Sequence, residues 1–327
     1  MVRALVTGGT GFVGAHVARA LAQAGHEVRV LHRRSSRLTA LDGVPFESAY
    51  GDVTDAQAVR TACQGVEHVF HVAAVADYWR ADPGHMFAVN VDGTRHVLAA
   101  ARQAGVKRVV FTSSAAALGM RPDGRPASEA DRFNLPPARF PYGHSKALAE
   151  EHALEAAAAG QEVVIVNPVV ILGPGDINRI SGEFVIRIRR SGRWLPVPPG
   201  GVAVTDVRDV ARWHLAAAER GVSGERYILG SENYAYRDWF AMIAEMVGAP
   251  RPILSIPHFV LPPLAAALDA LRAIGLRLPL DGNQTRLSGR QILFDFSKTW
   301  AALGGPNVPM RQSVADTYDW YRAHGML

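Results

Sequence analysis

Cysteine is almost missing from this 327-residue chain, lysine is scarce, and no long apolar run occurs. The single cysteine, Cys63, excludes an internal disulfide and any zinc site built on thiolates, so no metal is expected; a reducing compartment, by default the cytoplasm, is the expected location. With only three lysines (Lys107, Lys146, Lys298), the formal charge of +5 rests on arginine, and no basic block flanked by aromatics points to nucleic acid. The most apolar segment, His258 to Leu280, is broken by Asp269, Arg272, Arg277 and several prolines, well short of the roughly 20 residues a membrane span needs. It reads as an amphipathic helix packed over a pocket. Hydrophobic residues make up 48% of the chain, enough for one large domain or a main domain with a smaller partner.

Short β-like runs alternate with helical ones through the first half. Arg3–Thr7 reads as a strand, Phe12–Ala24 as a helix closed by Gly25, and Glu27–Leu31 as a second strand. Val66–Val72, a helix over Pro83–Ala104, Lys107–Ser113, a helix over Pro141–Ala159 and Glu162–Asn167 continue the pattern. Near-continuous apolar strands alternating with helices predict an α/β fold, a doubly wound parallel sheet covered on both faces. Residues 1–175 are expected to form the dinucleotide-binding domain, with 202–230 returning to its sheet. Residues 176–201 and 231–327 are expected to form a smaller, mixed substrate lobe.

Gly8, Gly11 and Gly14 stand at the turn between the first strand and the first helix. A pyrophosphate there needs backbone N–H groups and a helix N-terminus with no side chain in the way. At the end of the second strand an acid would accept the ribose 2′-hydroxyl of NAD; this chain has Arg33 and Arg34 instead, which favours the 2′-phosphate of NADP(H). Asp52, after the third strand, stands where it would meet the adenine amino group or cap the next helix.

Tyr142 and Lys146 lie one turn apart on one helix face. Among eight tyrosines and three lysines, that spacing arises in roughly one shuffled chain in fourteen. A cation about 5 Å from a phenol is worth roughly 3 kcal/mol, about two pKa units towards the phenolate. Tyr142 is therefore expected to exchange a proton with a carbonyl oxygen, helped by a hydroxyl from Thr112-Ser113-Ser114.

Taken in order, Thr7–Gly14, Gly51-Asp52, His71–Ala74, Asn90–Thr94, Phe111–Ser114 and Tyr142–Lys146 make the chain resemble the extended short-chain dehydrogenase/reductases. The nearest branch is the dihydroflavonol 4-reductase-like and hopanoid-associated epimerase-like proteins. The resemblance is specific over roughly the first 175 residues. It implies a Rossmann sheet, Ser114 as the catalytic hydroxyl, Tyr142 as acid/base and Lys146 as its activator. It also implies cofactor contacts from Gly8, Gly11, Phe12, Val13, Gly14, Arg33, Asp52, Val53, Val72, Ala73, Ala74 and Asn90, with Tyr142 and Lys146 at the nicotinamide end, and a homodimer through the Tyr142 helix. Asn167 matches a position that faces substrate in sugar-modifying relatives. Asn167-Pro168 and Thr205–Asp209 depart from the family's usual runs, so substrate identity is not inherited.

Three functions follow. The first is NADPH-dependent reduction of a ketone or aldehyde on a hydrophobic small molecule, with Tyr78, Trp79, Met120, Phe184 and Trp194 as candidate apolar contacts. The second is a nucleotide-sugar epimerase or dehydratase with retained cofactor, its diphosphate held by Arg187, Arg189, Arg190 and Arg193. The third is a cofactor-binding sensor without turnover, which needs the glycine loop but not the Tyr–Lys pair.

Overall fold

Runs of valine, isoleucine and leucine, buried on both sides, give the short parallel strands that organise the molecule. A computed structural model describes residues 1–76, 81–121, 123–276 and 281–327. Tyr78 and Trp79, expected near substrate, lie outside the described residues. In chain order the strands are β1 (Arg3–Thr7), β2 (Glu27–His32), β3 (Glu47–Tyr50), β4 (His68–His71), β5 (Arg108–Thr112), β6 (Val163–Pro168), β7 (Val170–Leu172), β8 (Gly201–Asp206), β9 (Arg226–Leu229), β10 (Glu232–Ala235) and β11 (Gln291–Ile292). The first six of the helices are α1 (Phe12–Gln23), α2 (Ala56–Cys63), α3 (Pro83–Phe87), α4 (Gly93–Gln103), α5 (Pro141–Ala158) and α6 (Glu183–Ser191). They are followed by α7 (Val207–Arg220), α8 (Tyr236–Met246), α9 (Leu261–Ala273), α10 (Gly282–Ser288), α11 (Ser297–Leu303) and α12 (Met310–Ala323).

The large sheet has seven parallel strands in the order β3-β2-β1-β4-β5-β6-β9. Chain progression reverses between β1 and β4, which opens a crevice at their carboxyl ends. Val17, Leu21 and Trp213 cover one face from α1 and α7; Val59, Val97 and Ala149 cover the other from α2, α4 and α5. Each fully buried aliphatic side chain in these layers stabilises the fold by about 1.5–3 kcal/mol.

Two local readings are corrected. The helix expected over Pro83–Ala104 is interrupted by a π turn at Ala88–Asp92, which carries Asn90. Within 202–230, β9 joins the large sheet beside β6, but β8 pairs with β7, β10 and β11 in a second sheet. All of β8 is buried, so its sequence marks a covered strand without saying which sheet covers it. Around that second sheet, α6, α8 and α12 bury Val185, Ile188, Trp239, Ile243 and Val314. The prolines and interrupted helices at the carboxyl end thus build a separate small core.

Candidate active site

The turn from β1 into α1 is closed by glycines because nothing larger fits. Gly8 has φ +71°, and a Cβ there would lie 2.6 Å from the Ala73 nitrogen; at Gly14 a Cβ would lie 2.2 Å from the Gly8 oxygen. Gly11 sits at the N-cap of α1 with no side-chain cap, so the first N–H groups of a 12-residue helix point out of a smooth backbone cradle. That is the shape and polarity a dinucleotide pyrophosphate requires. Phe12 and Val13 follow directly, Phe12 stacking edge-on against His16, whose Nε2 lies 2.9 Å from the Pro174 oxygen.

The opposite wall is the turn after β4, and a buried polar chain fixes it. The Thr7 hydroxyl donates to His71 Nδ1 (2.7 Å), His71 Nε2 donates to Thr94 (3.0 Å), and Thr94 donates to the Asn90 carbonyl (2.7 Å). Each hydroxyl has one proton, so this order requires a neutral imidazole. Burial, with Lys146 nearby, pushes His71 down to about 3. Thr7 Oγ1 also accepts from the Ala73 amide, which aligns Val72, Ala73 and Ala74 beside Gly8. Asn90, expected as a cofactor contact, lies just beyond this turn. Its amide is spent on both backbone groups of Val75 and on Ser145, so it braces this turn from beneath.

Arg33 and Arg34 emerge where β2 ends. Arg33 lies 3.9 Å from Asp52, and Arg34 stacks over the Tyr50 ring at 4.3 Å. Asp52 also accepts from the backbone and hydroxyl of Thr54, while Asp55 caps α2; the alternative of Asp52 as that cap is ruled out. Val53 is buried, its side chain against Gly93 and its carbonyl bonded to His96.

Gly143 brings the catalytic candidates together. A Cβ at Gly143 would lie 2.5 Å from the Ala116 oxygen, so the first turn of α5 packs directly on the short helical turn Ala115–Ala117 that Ser114 caps. The Tyr142 phenol and the Ser114 hydroxyl are hydrogen-bonded. Thr112 is turned away, bonded to His214 at 2.8 Å, and Ser113 is buried behind the strand. Of the three candidate hydroxyls, only Ser114 lines the cleft with Tyr142.

Lys146 corrects the expected electrostatics. Its ammonium donates to the Thr112 carbonyl at 2.8 Å and lies 5.2 Å from the Phe111 ring centre. Burial raises the Tyr142 phenol above its ordinary value, opposed by the Ser114 hydrogen bond, and lowers Lys146 to about 7, opposed by Glu150. Desolvation sets the direction for both groups. A lysine lowered to about 7 in the folded chain and near 10.4 when unfolded binds fewer protons folded, so its contribution to stability rises with pH between those values. Denaturant unfolding of wild type and Lys146→Met should therefore diverge in favour of wild type from about pH 6 to about pH 9. A constant difference would contradict the depressed pKa.

Glu150 continues the Tyr142–Lys146 stripe by another turn, a signal the sequence held at spacing i+4 and i+8. It is buried, ion-paired with Arg226 at 3.2 Å, and accepts from Asn167. The same Asn167 amide donates to the Ser114 carbonyl at 3.0 Å. Asn167, expected to face substrate, instead lies fully buried behind Ser114.

In front of Ser114 and Tyr142 opens a cleft of about 1050 Å³ including its mouth. Its walls are apolar, among them Leu118, Met120, Phe133, Leu135, Val169 and Phe294, with Asn283, Gln284 and Leu287 of α10 on one side. Met120 is one of the lining residues, and the α10, Phe133 and β8 contributions carried no motif. Phe184 packs into the lobe core against Tyr236 and Phe240, and Trp194 is exposed; neither lines the cleft. Nor do Arg187, Arg189, Arg190 or Arg193; Arg187 pairs with Glu183 along α6, and Arg189 reaches Tyr318. The helix expected over this pocket, α9, lies behind α10 instead, where Asp269 pairs with Arg286.

The profile of the NAD dependent epimerase/dehydratase family matches residues 4–230. A Synechocystis protein, named provisionally as a dihydroflavonol 4-reductase, is 39% identical over 98% of this chain and 95% of its own. Sterol demethylase protein B of Methylococcus capsulatus is 36% identical over 99% of both chains. The crystal structure of gox2253 superposes with a TM-score of 0.88 at 35% identity, covering 100% of both chains.

Proposed function

Because the chain belongs to the NAD dependent epimerase/dehydratase family of NAD(P)-dependent oxidoreductases, we propose that it is an NADPH-dependent reductase of a ketone or aldehyde carried on a hydrophobic small molecule. The observation that carries this reading is the apolar cleft directly in front of the Ser114–Tyr142 pair. A bound reduced nicotinamide supplies the hydride; the chain's own residues supply position and the proton. Tyr142 donates its phenolic proton to the carbonyl oxygen, and Ser114 donates a hydrogen bond to the same oxygen. The hydride and that proton together convert the carbonyl to an alcohol. Lys146, one helical turn from Tyr142, would hold the nicotinamide ribose when the cofactor is bound. The raised phenol suits this direction, because a protonated tyrosine at neutral pH is the donor form.

A nucleotide-sugar reading needs cations for a diphosphate; the four arginines of the α6 region stand away from the cleft, and Arg139 is the one arginine among its described lining residues. The sterol named in the Methylococcus relative is of the chemical kind this cleft fits. The buried thiol of Cys63, raised to about 11 by burial, is inert and compatible with the cytoplasm. A homodimer through α5 belongs to the same reading, and light scattering that finds only monomer removes it. The test of function is NADPH consumption with a panel of apolar ketones, aldehydes and 3-oxo compounds. Turnover of several of them supports the proposal, and conversion of nucleotide sugars without net consumption of cofactor overturns it.

NADP preference is assigned to Arg33. Arg33→Ser should weaken NADPH binding about tenfold, the scale of one charged hydrogen bond, and leave NADH binding unchanged. Fluorescence titration with both cofactors checks this, and an equal loss for both would contradict it.

A further inference from the structure

The solvent face of α9 is apolar where a surface helix is ordinarily charged. Apart from Arg272, every exposed position of this helix is proline, leucine or alanine, including Leu264, Ala267 and Ala270. Beyond its ends, Phe259 is 78% and Ile274 73% exposed. The chain just before it adds exposed Ile253 and Leu254, and the Ile253 amide donates to the Arg193 carbonyl at 3.2 Å, which sets exposed Trp194 beside them. Much of the exposed large hydrophobic surface of the molecule is therefore gathered along one segment and its neighbour.

The charge along this segment is net positive, although Arg272 pairs with Asp281, Arg286 with Asp269 and Arg251 with Glu245. By sequence, residues 251–290 contain five arginines, two aspartates, and neither lysine nor glutamate, a net of +3 out of the chain's +5. Arg190 and Arg193 are exposed at the adjoining end of α6. A two-fold related copy of the chain docked here would set this positive surface against itself, because an isologous interface pairs a patch with its own copy. An anionic lipid surface has the opposite sign, and it takes up tryptophan, phenylalanine and leucine at the level of its headgroups with arginines around them.

We propose that the α9 face, with Phe259, Ile274 and Trp194 at its edges, docks this protein reversibly onto an anionic lipid bilayer. The helix lies on the surface, since no described helix is long and apolar enough to cross a membrane. Its position matters because α9 rests on α10, with Gly282 tight against Asp269 and Ala265, while α10 lines the cleft through Gln284 and Leu287. Docking would place the cleft one helix away from the phase in which an apolar substrate dissolves. The inference rests on surface composition alone and stands or falls separately from the reaction.

The test is co-sedimentation of the full chain with vesicles of phosphatidylcholine alone and of phosphatidylcholine with phosphatidylglycerol, for wild type, Phe259→Asp and Ile274→Asp. Both substituted positions lie outside the cleft and are exposed, and unchanged NADPH binding and thermal unfolding verify that the variants are folded. Wild type is expected to pellet with the anionic vesicles and less with added salt, and each variant to bind at least about tenfold more weakly. Wild type that stays in the supernatant with both vesicle types overturns the proposal, as do variants that bind like wild type. If wild type ignores vesicles and the variants convert a dimer to monomer, the face belongs to a second copy of the chain and the proposal fails.

Discussion

Tyr142→Phe is expected to lower the rate of NADPH-linked carbonyl reduction about a thousandfold, within the range typical of losing a positioned proton donor. NADPH affinity should change by less than about threefold, since the glycine cradle and the Val72–Ala74 wall are untouched. The expectation follows from Tyr142 being the lining phenol that is hydrogen-bonded to Ser114, whereas Tyr236, which also lines the cleft, packs against Phe184 and Phe240. With the phenol gone, Ser114 still donates a hydrogen bond to the carbonyl oxygen but cannot deliver a proton to it at neutral pH. The fold should survive, because the ring keeps its packing and only one hydrogen bond, worth about 1 kcal/mol, is lost. Stopped-flow or steady-state NADPH oxidation with the best carbonyl of the panel, beside a cofactor titration, separates the two effects. A variant that turns over at near wild-type rate would remove Tyr142 from the chemistry.

Glu150→Ala is expected to be the most damaging single change to the scaffold of the site. It strands Arg226, which lost its 3.2 Å partner, and frees the Asn167 amide that ties Glu150 to the Ser114 carbonyl. Breaking a buried pair from one side costs about 3–5 kcal/mol, because the remaining charge stays desolvated. Glu150→Gln keeps an oxygen for Asn167 and should cost roughly half as much. Removing the negative charge also withdraws what opposes the burial shift of Lys146, so the lysine should titrate at lower pH in both variants. Urea unfolding of wild type, Ala and Gln variants reads the first effect directly. An alanine variant as stable as wild type would mean that the network carries no weight.

How much of this was legible in the sequence differs by region, for physical reasons. The large sheet was readable because its strands are short, apolar and separated by helices that end in glycine, so each boundary has a local cause. The second sheet was not, since β7, β8, β10 and β11 meet from distant parts of the chain and nothing within β8 specifies its partners. Gly8 and Gly14 were legible because a backbone contact forbids a side chain, and Tyr142 and Lys146 because helical spacing puts them on one face. Asn90 and Asn167 were placed by motif, but the amide of Asn90 and the NH2 of Asn167 are engaged by neighbours that only the fold supplies. The Lys146 spacing was legible, but a pair distance gives only an attraction, whereas burial, which sets the direction for both groups here, is a property of the packed structure. The cleft walls from α10 and the Phe133 loop carry no chemistry of their own and so left no signal.

The most direct test of the account is the stoichiometry of cofactor to product for wild type given NADPH and an apolar ketone that it accepts. The account predicts one NADPH oxidised for each alcohol formed, and no conversion of nucleotide sugars under the same conditions. Conversion of a nucleotide sugar at constant cofactor, with apolar carbonyl compounds left unreduced, would contradict it.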